Sequence, residues 1–490
     1  AIEFARQTLQ ERYPLNPDGW KVLTRISDEV DIRDIFVWQE GGETVYRPMT
    51  RQFLAPPYWE VRWVKTTGTV EERTEEFTVN ILNGPSLLSV IHKIPESQAG
   101  ANLTQQEAQL LVDSVLEAGF GLRRGELKEV LVTPKKLENR TNWEFIYADT
   151  VNYPLGVGQG RYKIDLDGRE VTNAFPYVYV PEEWQRAYTD ANSIRQVVRS
   201  AGRITVLALL GYGLVMAVFR WTRKKFNLGL FSRFALLFAV FALGEVVFGW
   251  ENTVSSYYTM LPWGNFLVMV LISLSLSIVF LGLVNGMIIG ASVGWVPVRK
   301  PLPRMNLLYA AGAGWLGIGI LAFAESFSEK VLPFWPDFSP MNSSLPAAGF
   351  AFSEVGSILI YPALFMVVFL SMHVVSRSWT VRKIAACGIA LLAGFAVSAV
   401  SFQGVGFWLL TGSLAAGALL LLYLFFFRFH LEWIPVSFGM VAISGVLRTM
   451  IVCPYPAVWP GGLLMIVISG LIIWFWYKQL LNSQPAIGRK

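Results

Sequence analysis

The sequence predicts a polytopic all-α membrane domain of about nine transmembrane helices, preceded by a duplicated α+β extracytoplasmic domain. Three observations carry this expectation. Residues 203–477 form a near-continuous series of apolar segments, each about the length that crosses a ~30 Å hydrocarbon core. The 490 residues are 53% hydrophobic and only 16% charged, where a soluble domain carries roughly 25% charged residues. Before residue 203, apolar and polar residues alternate in short runs, the pattern of half-buried antiparallel strands.

The net charge of +5 is modest, and no basic patch is interleaved with aromatics. No nucleic-acid partner is expected. The two cysteines, Cys387 and Cys453, both lie in apolar stretches. The head therefore has no disulfide framework, and without a CxxC or Cys/His cluster a structural zinc is not expected. No cofactor is predicted from composition.

The head divides into a first copy, 1–100, and a second, 101–183. The first opens with an amphipathic helix over 1–13. Strand-like runs follow at Tyr58–Lys65, 77–82 and 86–94, ending in Ile94-Pro95-Glu96. The second opens with a helix to about Ala118, stopped at Gly119. Thr104 is its N-cap, with Glu107 at the capping-box spacing. Runs at 127–133, 142–147, 161–166 and 174–180 follow, ending in Val180-Pro181-Glu182. The pairs Trp59-Glu60 and Trp143-Glu144 recur at nearly equal distances from these closing tripeptides. Asn83-Gly84 and Asp167-Gly168 are hairpin turn signals at matching places. His92 reads as an isolated strand-edge residue. Glu71, Glu72, Glu75 and Glu76 read as a solvated charged loop. No catalytic constellation stands out. Residues 184–203 read as a polar linker.

The membrane domain, 204–480, is expected to hold spans at 204–219, 234–250, 263–291, 306–324, 354–372, 384–400, 404–427, 434–452 and 459–477, with a tail at 481–490. Basic residues alternate between the connections. Arg220, Arg223, Lys224, Lys225 and Arg233 follow the first span, and Arg299, Lys300 and Arg304 the third. Arg377, Arg382 and Lys383 follow the fifth, Arg428 the seventh, and Lys478, Arg489 and Lys490 the last. The other connections are neutral or acidic. By the positive-inside rule the head is outside and the C-terminus in the cytoplasm. A translocated head of this size implies a hydrophobic segment ahead of Ala1, as a cleaved signal or a further span.

Gly282, Gly286, Gly290 and Gly294 recur every four residues. They form one smooth stripe that lets another backbone approach closely. Packing within the subunit is the plainer reading, a dimer interface the other. Asn285 lies beside the stripe. The aromatic, proline-broken segment 325–353 reads as an interfacial anchor in the outer headgroup region. Ionisable residues within or near the spans are functional candidates by default. They are Glu245, Glu354, His373 and Arg448, with Glu251, Glu325, His430 and Glu432 near the edges. An ion pair of Arg448 with Glu245 or Glu354 is the simplest use of these charges. His373 and His430 are the weak metal candidates, and the topology puts them at the face opposite the acids.

The stretches 139–145 (NRTNWEF), 168–171 (GREV), 177–186 (YVYVPEEWQR) and 257–266 resemble bacterial multipass proteins of the CPBP family. These are the CAAX-protease and bacteriocin-processing intramembrane metalloproteases, and the head looks PepSY-like. The resemblance covers about half the chain. It implies the bacterial cytoplasmic membrane and, in active members, a Glu-Glu-x-x-x-Arg motif, a Phe-x-x-x-His motif and a later histidine around zinc. Glu182-Glu183 has Ala187 where the arginine belongs. Phe369–His373 and Phe426–His430 fit the second motif, and no histidine follows His430. The reading that follows is a non-catalytic membrane protein whose head and glycine-striped helices serve assembly or partner docking in a complex, with membrane lipid and protein partners. A diverged metalloprotease binding zinc, and a transporter using the intramembrane charges, are the alternatives.

Overall fold

The computed structural model describes residues 1–13, 19–84, 86–293, 306–327 and 332–482, with every side chain in them except those of 306 and 353–359. Two compact units emerge. One comprises residues 1–187 together with 249–271 and 332–344. The other comprises 188–248, 272–331 and 345–490.

The first unit holds two four-stranded antiparallel meanders. β1 (Trp20–Ser27), β2 (Tyr58–Lys65), β3 (Glu76–Leu82) and β4 (Ser86–Lys93) form one sheet in that order. β5 (Leu127–Lys136), β6 (Thr141–Asp149), β7 (Gln159–Asp167) and β8 (Glu170–Tyr179) form the other. Asn83-Gly84 and Asp167-Gly168 turn the equivalent hairpins β3–β4 and β7–β8, with Gly84 and Gly168 at φ +80° and +63°. Only a residue tolerant of the left-handed region suits these places.

Helix α1 (Ile2–Arg12) buries Ala5 and Leu9 against Val61, Phe77 and Val79 on one face of the first sheet. The sequence reading missed β1 and also α2 (Ile32–Met49), which is inserted between β1 and β2. Its start was legible in principle, since Asp31 and Asp34 make a reciprocal capping box. Phe36, Val37 and Tyr46 of α2 join the core of the second sheet, beside Ala108 and Val112 of α4 (Gln105–Val115). Thr104 caps α4 with Glu107. The helix continues beyond Gly119 as one wider turn that ends at Gly121, φ +67°. Trp143, Phe145 and Tyr147 alternate along β6 and stack on one face of the sheet, as the two-residue repeat requires. The stretch read as a linker is helical, the opening of α5 (Glu182–Thr222). A short helix, α3 (Val70–Arg73), occupies the supposed charged loop.

The second unit contains the apolar helices. Among the described residues eight helices are long and apolar enough to cross a membrane. They are α5, α6 (Leu228–Phe248), α8 (Trp263–Ser292), α9 (Asn306–Glu325), α11 (Lys383–Ser398), α12 (Val405–Leu422), α13 (Ile434–Val452) and α14 (Val458–Asn482). The intervening α7 (Trp250–Ser255) is short. α10 (Pro346–Val375) has 30 residues, with the described apolar stretch Ile360–Val375. α10 packs against α6, α11, α13 and α14, and is the hub of this unit. Phe365 and Phe369 of α10 meet Phe438 of α13 at centroid separations of 3.9 and 5.8 Å.

The glycine stripe is filled from within the chain. A Cβ at Gly282 would lie 3.2 Å from the Ala235 carbonyl oxygen, and one at Gly286 3.2 Å from the Ala235 methyl. A Cβ at Gly290 would lie 2.8 Å from the Phe226 ring and 2.9 Å from Phe231 Cβ. α6 and its preceding turn thus lie in the groove; Gly294 falls outside the described residues. Gly290→Leu is expected to destabilise the protein by roughly 1–3 kcal/mol through overpacking. Gly319→Leu, with nothing within 4 Å of its Cβ, is expected to stay within about 0.5 kcal/mol. Thermal unfolding of both variants in detergent checks the difference.

Candidate functional site

Two arginines, one on the first sheet and one on α3, fasten this part of the head to segment 249–271. Arg62 of β2 donates through Nε and Nη2 to Glu76 Oε1 and Oε2 of β3, at 2.7 and 3.1 Å. Its Nη1 donates to the carbonyls of Ser255 and Tyr257 at 2.8 and 3.3 Å. Arg73, 5% exposed, donates to the carbonyls of Thr259 and Met260 at 3.1 and 3.2 Å, and to that of Gly68. Leu23 and Val64 on the sheet bury Val254, Tyr257 and Phe266. Lys21 Nζ stands 3.5 Å from the Trp263 ring centroid.

Within the segment 325–353, expected to anchor in the outer headgroup region, two residues are tied down. The Phe338 backbone amide donates to Asp28 Oδ2 at 2.7 Å, and the Asn252 side-chain amide to the Ser339 carbonyl at 2.9 Å. Residues 328–331 of the segment lie outside the described ones.

Glu76 is not solvated as the sequence suggested. It is 3% exposed. Burial pushes its carboxyl up, but the Arg62 fork, with Lys93, outweighs this and holds it below the ordinary glutamate range. No sequence signal pairs Arg62 with Glu76, since strand register decides it.

A second cluster joins the two sheets where β4 packs against β8. His92 is buried and stacks on Phe77 at 3.8 Å. Its Nδ1 is 2.5 Å from Glu170 Oε1, and its Nε2 3.5 Å from Glu75 Oε1. Glu75 also pairs with Lys65. Burial, reinforced by Glu170, pushes the Tyr13 hydroxyl up to about 12. Arg140, 2% exposed, donates to the carbonyls of Ile94, Pro95 and Gln98 and to Asp167. His92 is therefore a strand-edge residue, as expected, but not an isolated one.

Among the described residues the intramembrane candidates form no metal-binding group. Glu245 is exposed on α6 and Arg448 exposed on α13; the Glu354 side chain lies outside the described ones. His373, on α10, places Nε2 3.0 Å from Ser378 Oγ. His430 places Nδ1 3.0 Å from Glu432 Oε1 and stacks on Trp433 at 4.3 Å. Glu432, assigned to an edge by sequence, is 3% exposed. Among the described residues no three His, Cys, Asp or Glu side chains converge as metal ligands. Among the described residues, His373 and His430 therefore have no companions that would complete the zinc site implied by the family resemblance. Asn285 is 2% exposed and donates to the Leu281 carbonyl of its own helix. Comparison with protein-family models, curated proteins and solved structures finds no match.

Two outcomes follow from this geometry. Arg73→Met leaves the carbonyls of Gly68, Thr259 and Met260 without their cation, at about 1–3 kcal/mol for each group left unsatisfied. Amide hydrogen exchange over 249–262 is expected to speed up in this variant and to stay unchanged in Arg186→Met, whose ion pair with Glu182 is exposed. Asp34 is the second case. Burial pushes its carboxyl from 3.8 up to about 6, although the Tyr46 hydroxyl donates to it. The folded head thus holds this proton more tightly than the unfolded chain does. That stability is complete below about pH 4 and is lost as pH rises through about 6. Relative to Asp34→Asn, the wild type is expected to lose on the order of 2–3 kcal/mol between those limits. Thermal melting of both proteins across that range measures it; parallel curves would show that Asp34 does not titrate there.

Proposed function

We propose that this chain is a non-catalytic multipass membrane protein whose head, on the outer side of a bacterial cytoplasmic membrane, docks a protein partner in a membrane complex. The observation that carries the reading is the contrast between occupied and unoccupied parts of the head. The first sheet has α1 on one face and residues Val254, Tyr257 and Phe266 on the other. The second sheet keeps an open edge. β5 pairs only with β6, and Val130 and Leu131 on it are 37% and 40% exposed.

An edge strand of this kind accepts an added strand, with main-chain hydrogen bonds supplying affinity and side chains supplying choice. β5 carries Lys128 and Lys136 against Glu129, with Lys135 already paired to Glu96. The partner segment is therefore extended and acidic. The same lysines, with Pro134 and the irregularity between Glu129 and Leu131, keep the edge from pairing indiscriminately. The glycine stripe contributes by fixing α8 on α6 rather than by joining subunits.

Kinship with the CPBP family rests on the sequence stretches quoted above, and the outward orientation on the alternating basic connections. The metalloprotease and transporter alternatives have no observation of their own in their favour.

The test is mass spectrometry of the gently solubilised native complex, with elemental analysis and cross-linking. A co-purifying subunit cross-linked to β5 is expected, and is expected to be lost in Val130→Glu/Leu131→Glu. Because both positions are exposed, each substitution should change stability by no more than about 0.5 kcal/mol. A lone chain carrying one zinc per molecule would overturn the proposal and favour the protease.

A further inference from the structure

The connection between α5 and α6 holds four cations, Arg220, Arg223, Lys224 and Lys225, within six residues. No Asp or Glu occurs between Asp190 and Glu245. The positive-inside rule accounts for the sign of this cluster. It does not account for its shape.

An open cavity of about 640 Å3 lies at this turn, lined by Val218, Trp221, Thr222, Lys224, Phe226 and Leu228. Its lining is divided by chemistry. Val218, Trp221 and Leu228 are 48%, 53% and 59% exposed, on helices that read as membrane-spanning. Trp221 stacks on Phe226 at 5.4 Å and 15°, making a flat aromatic wall. Phe226 is in turn seated against Gly290, so the wall is fixed by the α6–α8 contact.

The polar end is equally defined. Lys224 has φ +55°, a left-handed conformation uncommon for lysine. Its amide donates to the Trp221 carbonyl, and the Lys225 amide to the Arg220 carbonyl, both at 2.9 Å. Arg220 Nε donates back to the Lys225 carbonyl at 3.3 Å. These bonds hold the turn so that an ammonium borders the apolar wall. Among the described residues no ion pair satisfies Arg223, Lys224 or Lys225.

We infer that this cavity binds an anionic phospholipid. The phosphate sits against Lys224 with Arg223 and Lys225 around it, and an acyl chain runs along Val218, Trp221 and Leu228. Basic pockets between spanning helices at a membrane boundary take such headgroups, and a tryptophan at headgroup depth is the usual companion. The amphipathic lining is what separates a lipid from free phosphate, which has no use for the aromatic wall.

Native mass spectrometry of the full chain in detergent tests this, with phosphatidylglycerol, phosphatidylcholine or inorganic phosphate added. Retention of phosphatidylglycerol over phosphatidylcholine is expected. Lys224→Gln should weaken it roughly fivefold, and Lys224→Arg should restore it. Trp221→Ala leaves every charge that sets topology in place, and is expected to weaken retention while the protein still folds and inserts. Equal retention of the two lipids overturns the proposal. So does wild-type retention in both Lys224→Gln and Trp221→Ala, or full displacement of the lipid by inorganic phosphate.

Discussion

One guanidinium, that of Arg62, meets two demands that neither of its partners can meet alone. Glu76 is buried in the first sheet and needs a cation, because an isolated buried carboxylate is costly. Ser255 ends a short helix and Tyr257 follows it, so their carbonyls lack intrahelical donors. The planar fork of an arginine supplies both, with a bidentate contact on one side and a third nitrogen for the carbonyls. Lysine has no equivalent geometry. The sheet and the segment 249–271 are therefore interdependent, and Arg73 repeats the device a few residues along.

This arrangement explains how the first unit spends its surface. Both faces of the first sheet are covered, one by α1 and one by the cluster around Tyr257. The second sheet is covered on one face by α4 and by α2, which comes from the first half of the head. The two halves are thus interlocked rather than strung together. His92, against Glu170, and Arg140, against Asp167, close the seam between them. Among the described residues the edge at β5 stays open, and the proposed docking role rests on it.

The apolar helices follow a different rule. Lipid offers no hydrophobic gain for bringing helices together, so close contact and interhelical hydrogen bonds do the work. Gly282, Gly286 and Gly290 admit α6, and Gly314 admits the backbone at Ser437 of α13. Ser437 then donates to the Ala310 carbonyl at 2.7 Å, and Trp476 to Ser292 at 3.3 Å. α10 sets Phe365 and Phe369 against Phe438, and Phe369 against Phe427. At the α5–α6 turn Lys224 borders a shaped apolar wall.

The sequence by itself determined the class and most of the elements. The apolar segments foretold where the long apolar helices lie, because twenty apolar side chains in a row have one stable use in a membrane. The ends match closely for α8, α9 and α13 but not for α5 or α10, and eight such helices stand among the described residues where nine spans were expected. The strand alternation, the Asn-Gly and Asp-Gly turns and the Thr104 cap were legible for the same reason: each is a local requirement of backbone geometry. Tertiary structure alone decided which charges meet. Glu76 reads as a surface acid because its neighbours in sequence are polar, and Glu432 as an acid at the edge of a span, yet both are buried. The insertion of α2 into the core of the second sheet, and the return of 332–344 to the first, depend on long-range packing that no local pattern encodes.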